Sequence, residues 1–263
     1  RKPRQAPQIK AQSNRPAARA QHRKTAVIET LQTAVLTAHG QPSAPGPAEA
    51  DLAATARAVA AHLPGWDVRS ATLAAPGRLE QVMEDGAVVY PFFMSRGYFT
   101  SKVLPGRLQG RAYRMATPFG LDSGLPDLAA SAVQQAASDR HWPLDRLNLL
   151  LAAHGSARGP RAAEAAEDFA VRLGPLLPGC AVSLGYIEQD PRLASAAAPL
   201  PVRSICLPFF AQAGDHVKED LPEALGTAGF GGAVLPVAGA LPGAPALIAA
   251  AIRLASLDRN ASE

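Results

Sequence analysis

Three residues able to bind a metal or move a proton occupy comparable places in the second half of this 263-residue chain. His154 ends the apolar run in "LLLAAHGS" (residues 149–156), Glu188 lies in "GYIEQDP", and His216 lies in "PFFAQAGDHVKEDLP". Each follows a short apolar stretch of the kind that forms a buried strand. In open parallel α/β sheets the C-terminal strand edge is where ligands bind. Two imidazoles and a carboxylate suit a divalent first-row metal such as cobalt, iron, nickel or zinc. They equally suit proton transfer near neutral pH.

The elements that must position these residues occur twice. "AVLTAHG" (residues 34–40) places His39 at a strand end 115 residues before His154. "LPGW" matches "LPGC", "RLEQ" matches "RLAS", and "PFFMSRGYFTSKVLPGRL" matches "PFFAQAGDHVKEDLPEAL" without a gap. This is an internal repeat of about one βα domain per copy. The copies differ at the chemistry: Ala74 stands where the second half has Glu188, and Phe99 stands where it has His216. The set is complete in the second half alone. The first half reads as degenerate and structural, with His39 a vestige or a structural hydrogen-bonding group. His22, His62 and His141 fall in a tail, a helix end and a linker, and carry no assigned role.

Strands are expected at residues 34–38, 68–73, 87–90 and 112–117, with helices at 48–63, 79–84 and 126–138. The second half repeats the order, with strands at 147–153, 182–187, 203–207 and 233–237. Its helices open at Pro160, at Asp190–Pro191 as N-cap and first helical residue, and at residue 245. Alternation of strands and helices implies parallel sheets covered on both faces. The expected fold is therefore α/β, two similar domains of four parallel strands each, facing one another across a cleft. The expected boundaries are a disordered basic tail at 1–24, a degenerate domain at 25–140, and a domain carrying the active site at 141–263.

Composition fits a globular protein, with 48% hydrophobic and 18% charged residues. No apolar run approaches the roughly 18 to 20 residues of a membrane helix, so no membrane partner is expected. The net charge of +4 is a property of the tail: residues 1–24 hold eight Lys or Arg and no acid, and the remainder nets −4. The tail is expected to be an extension without fixed structure, and no nucleic-acid partner is expected. Cys180 and Cys206 are far apart, with no CxxC, and read as two buried thiols of a cytoplasmic protein.

"LLLAAHGSARGPRA" resembles the opening motif of the class II tetrapyrrole chelatases, the sirohydrochlorin cobaltochelatase and ferrochelatase family, here in a tandem-duplicated form. "PFFAQAGDHVKEDLP" resembles that family's second motif, and "GYIEQDP" the segment with its acidic residue. The resemblance spans residues 34–255. It implies ATP-independent insertion of Co²⁺ or Fe²⁺, with Ni²⁺ also open, into sirohydrochlorin, in cobalamin or sirohaem biosynthesis. The metal is then a substrate, and no cofactor is permanently bound. His154 and His216 would hold the metal and accept pyrrole protons, and Glu188 would bind metal or relay protons. A polycarboxylate macrocycle needs an apolar wall and a cationic rim. Phe92, Phe93, Phe99, Phe209 and Phe210 are candidates for the wall; Arg96, Arg158 and Arg161, with Ser156, are candidates for the rim. Long two-half members of the family carry the working histidines in their first half; here they stand in the second, as in protohaem ferrochelatase. Another tetrapyrrole as substrate, or binding without turnover, are the alternative readings. A duplicated chain of this kind is expected to be a monomer that serves as its own pseudo-dimer.

Overall fold

The two apolar runs that end in histidine become the central strands of two sheets. A computed structural model of the chain describes residues 31–156 and 159–258. The basic tail and Arg158 lie outside the described residues. In the first half, β1 (Gln32–Ala38), β2 (Trp66–Thr72), β3 (Ala87–Pro91) and β4 (Tyr113–Met115) form a parallel sheet in the order β2-β1-β3-β4. In the second, β5 (Asn148–Ala153), β6 (Ala181–Tyr186), β7 (Ser204–Pro208) and β8 (Ala233–Val234) repeat it as β6-β5-β7-β8. The helices are α1 (Pro45–Ala60), α2 (Arg78–Val82), α3 (Leu104–Arg107) and α4 (Leu125–Asp139), then α5 (Arg161–Leu173), α6 (Leu193–Ala197), α7 (Leu221–Thr227) and α8 (Ala244–Leu257). The expected fold, two four-stranded parallel sheets flanked by helices, is the one that forms.

Strand β5 is unbroken in its hydrophobicity because both of its faces are covered. Leu149, Leu150 and Leu151 are all fully buried. Leu149 and Leu151 point into one cluster and Leu150 into another, on the opposite face. Burying each leucine contributes about 2 kcal/mol, which fixes the strand that carries His154. Helix α1 starts at a proline, whose missing N–H costs nothing in a first turn. It buries Leu52, Ala56 and Val59 at helical spacing.

The halves share one core. Leu36 and Leu149, from the two central strands, belong to the same buried cluster. Helix α4, the last of the first half, packs against β7 and α5 of the second. Helix α8, the last of the second half, packs against α1, β3 and β4 of the first. Two hydrogen bonds follow the same approximate two-fold relation. Gln41 Nε2, after β1, donates to Asp215 Oδ2, after β7, at 2.5 Å. Arg161 Nη1, after β5, donates to the Arg96 carbonyl, after β3, at 2.8 Å. The C-terminal strand edges of both sheets meet at these contacts.

Three local expectations are corrected. The strands expected at 112–117 and 233–237 are shorter, Tyr113–Met115 and Ala233–Val234. Both are sheet edges, paired on one side only, and the chain turns away after Ala116 and Leu235 make one last bond to the neighbouring strand. Asp190 and Pro191 do not begin a helix. The Pro191 carbonyl accepts the Tyr186 N–H, the peptide between Asp190 and Pro191 is cis, and α6 begins only after Arg192. Cys206 is fully buried and its thiol is pushed up to about 12 by burial, but Cys180 sits half-buried in the turn before β6. Among the described residues no helix is long and apolar enough to cross a membrane.

Candidate metal centre

The strand order places the site. From β5 the chain passes to β6 on one side and then to β7 on the other, so the order in which strands are added reverses at the β5/β7 boundary. Ligands bind at such switch points, outside the C-terminal strand ends. His154 follows β5 and His216 follows β7, so they flank this boundary. Glu188 follows β6, and backbone pairing continues past the strand to hold it: Ile187 N–H bonds the Ala153 carbonyl and Glu188 N–H bonds the His154 carbonyl at 2.9 Å.

The three side chains converge. One ligand atom from each of His154, Glu188 and His216 lies within 4.8 Å of the other two. The two imidazole rings meet edge to face, with centroids 4.3 Å apart and planes at 83°. Glu188 Oε2 stands 3.7 Å from His154 Nδ1. His154 Nδ1–H donates to the Gly155 carbonyl at 3.0 Å, and His216 Nδ1–H donates to Asp220 Oδ2 at 2.5 Å. In both rings this leaves Nε2 with its lone pair. All three side chains are about two-fifths exposed and open to solvent. An arrangement of two imidazoles and one carboxylate with open positions can take a divalent metal and release it.

Residues missed in the sequence build the frame. Gly155 has φ +70°, and a Cβ there would lie 2.6 Å from the Gln189 side chain. That side chain accepts the Ser156 N–H at 2.8 Å and so clasps the loop after His154. Gly239 N–H bonds the Phe210 carbonyl, and in the first half Gly120 N–H bonds the Phe93 carbonyl. "PFGL" and "VAGA" were poor signals for these paired glycines, because only their equivalent positions after β4 and β8 reveal them.

The aromatic candidates separate into two groups. Phe92 and Phe209 are 2% exposed; Phe92 packs edge-on to Phe119 and Phe209 stacks on Phe169, so both sit in the core. Phe210 lies 6.5 Å from His154, ring to ring. Phe99 lies 4.3 Å from His39, with Phe93 stacked at 6.1 Å and Tyr98 edge-on at 5.7 Å. Phe99 thus takes the place against His39 that His216 takes against His154. Arg96 and Arg161 are exposed and adjacent through their hydrogen bond.

A groove of about 340 Å³ opens beside the metal ligands in the second half, lined by Ile187, Glu188, Ala194, His216, Asp220 and Ala224 among others. The matching place in the first half carries charged side chains instead. Arg107, at the position of Ala224, forms a two-pronged ion pair with Glu80, at the position of Ala194. Its Nη1 also donates to the carbonyl of Leu73, at the position of Ile187. The Arg107 hydrogen bond is the main reason the Glu80 carboxyl is held below its usual range. A depressed carboxyl contributes stability above its unfolded value, about 4.3. That contribution is lost as pH falls through the lower folded value. Arg107→Ala is therefore expected to lower Tm at pH 7, and the gap from wild type should narrow as pH falls below about 4. A constant gap in thermal melts from pH 7 to pH 3 would count against the ion pair.

Comparisons with known proteins agree with this geometry. The family model described as CbiX matches residues 148–254. The chain is 44% identical to the solved structure of CbiX, the terminal enzyme for biosynthesis of siroheme in denitrifying bacteria. That match covers 85% of this chain and 99% of that one, with a TM-score of 0.78. A multi-domain protein of Deinococcus radiodurans, described as structurally similar to chelatases, matches at 23% identity and TM-score 0.64, over 89% of this chain and 57% of that one. SirB from Bacillus subtilis, solved with Fe³⁺, matches at 15% identity and TM-score 0.69, over 86% and 96%. These last two are likenesses of fold. None of the curated proteins matches the sequence.

Proposed function

The chain belongs to the CbiX family, and from that premise we propose that it inserts a divalent metal into sirohydrochlorin without ATP. The observation that carries the proposal is the convergence of His154, Glu188 and His216 within 4.8 Å at the switch-point edge. Insertion exchanges two pyrrole N–H protons for one M²⁺, so a site needs weak metal ligands and proton acceptors together. His154 and His216 receive the metal and take the protons; Glu188 shares the metal and passes protons to solvent. Fe²⁺ is the favoured metal, because the 44%-identical relative is described as the terminal enzyme of siroheme biosynthesis. Co²⁺ and Ni²⁺ have the same preference for nitrogen ligands.

The macrocycle lies against Phe210 on one side and Phe99 on the other. Its carboxylates meet Arg96 and Arg161, with Ser156 in the loop after His154; Arg158 is kept as a candidate from the sequence alone. The first half, 25–140, serves as the facing wall and the second, 141–263, as the working half of a monomeric pseudo-dimer in the cytoplasm. The test is an anaerobic assay of sirohydrochlorin with Fe²⁺, Co²⁺ or Ni²⁺, following the macrocycle's absorbance. Acceleration over the spontaneous rate is expected with at least Fe²⁺. No acceleration with any of the three metals would overturn the reading and leave binding without turnover.

A further inference from the structure

We propose that Asp220 is a positioning residue for His216, holding its ring so that Nε2 is the nitrogen offered to the metal; for the reaction it serves, this rests on the chelatase reading above. Asp220 Oδ2 accepts the Nδ1–H of His216 at 2.5 Å. A carboxylate can only accept here, so it fixes the tautomer with the proton on Nδ1. The metal then meets an Nε2 whose lone pair is free to coordinate. The bond also fixes the plane of the ring, which stands edge to face with His154. Asp220 is not one of the three groups that converge on the metal position. Among the described residues no Lys or Arg lies within ion-pair distance of it, and His216 is its partner.

The backbone explains the pairing. Residues His216–Asp220 form a single wide helical turn, closed by the Leu221 N–H on the His216 carbonyl, five residues back. Such a turn brings residues four apart into line along one face. The first half supplies an internal control. Phe99–Val103 form the same wide turn, closed in the same way by the Leu104 N–H on the Phe99 carbonyl. The position matching Asp220 there is Val103. The turn therefore forms without the carboxylate. Where the histidine is absent the aspartate is absent with it, and where one is present so is the other. A residue needed for the turn itself would be present in both copies.

The experiment uses the full chain and Co²⁺ alone, read by its visible absorption and by calorimetric titration, with insertion kinetics beside it. Asp220→Asn is expected to weaken Co²⁺ binding and raise the metal KM by about 10- to 100-fold. The KM for sirohydrochlorin and the Tm stay at wild-type values, and Asp220→Glu recovers most of the loss. Unchanged Co²⁺ affinity in Asp220→Asn overturns the proposal whatever the kinetics show. A loss that tracks a fall in Tm and is not recovered by Asp220→Glu also overturns it, by assigning Asp220 to the fold. Weakened Co²⁺ binding in a chain that inserts no metal sinks the chelatase reading and leaves this one standing.

Discussion

His154→Ala loses metal insertion by about 10²- to 10⁴-fold, the range expected when a positioned proton acceptor is removed, while His39→Ala stays close to wild type. The two histidines occupy the same place in the two halves: the His39 carbonyl accepts the Ala74 N–H as the His154 carbonyl accepts the Glu188 N–H. Their surroundings differ. His154 has Glu188 at 3.7 Å and His216 edge-on at 4.3 Å. His39 has the ring of Phe99 at the same 4.3 Å, and the methyl of Ala74 in place of a carboxylate. Burial against these apolar groups pushes the His39 imidazole below its usual value. It is thereby kept neutral but without partners that share a metal or carry a proton onward. Initial rates with Fe²⁺ and sirohydrochlorin for both variants check this. Equal losses in the two variants would place the chemistry between the halves rather than in the second.

Much of this was legible in the sequence because duplication turns one chain into two readings of the same fold. The apolar runs of β1 and β5 and the repeated "PFF" aligned the two copies strand by strand. Comparing copies singled out His154, Glu188 and His216, which the structure brings together. What stayed hidden depends on contacts between distant elements. Phe209 and Phe210 are adjacent and look alike, but the alternation along the chain sends one ring onto Phe169 in the core and the other towards His154. Asp220 reads as one acid among several in "GDHVKED", and only the wide turn after β7 lines it up with His216. The groove beside the ligands is lined in part by two alanines, Ala194 and Ala224, whose meaning comes from the Arg107–Glu80 pair at the matching positions of the first half. The exchange of α4 and α8 between the halves leaves no local signal at all.

That exchange ties the two halves into one core. Helix α8 has the β3 and β4 edge of the first sheet as its packing surface, and β7 has α4 against it. Removing the first half would strip cover from the strand that leads to His216. The first half is thus part of the core that holds the second, and it keeps this packing with Phe99 and Ala74 at its own edge where the second half has His216 and Glu188.

The same two-fold logic makes Gly239→Ala the substitution with the largest expected cost to stability. A Cβ at Gly239 would fall 1.9 Å from the Ala211 carbonyl oxygen and 2.6 Å from the Phe92 ring. Its twin, Gly120, would place a Cβ 2.1 Å from the Met94 carbonyl oxygen. The obstruction is backbone in both, at the matching residue of the loop after β7 or β3, so a rotamer change cannot relieve it. Moving the backbone would break the Gly239 N–H bond to Phe210, which pins the loop that leads to His216. Overpacking of this kind costs about 3 kcal/mol, or roughly 6 to 12 °C in Tm for a domain of this size. Gly226→Ala is the control: Gly226 lies inside α7 with open space around its Cβ position. There alanine should stabilise by up to about 1 kcal/mol. Denaturant titration of the two variants separates these outcomes. A Gly239→Ala chain as stable as wild type would mean that the loop after β7 is not held against the turn Ala238–Ala240 as the structure has it, and with it the placement of His216 would fall.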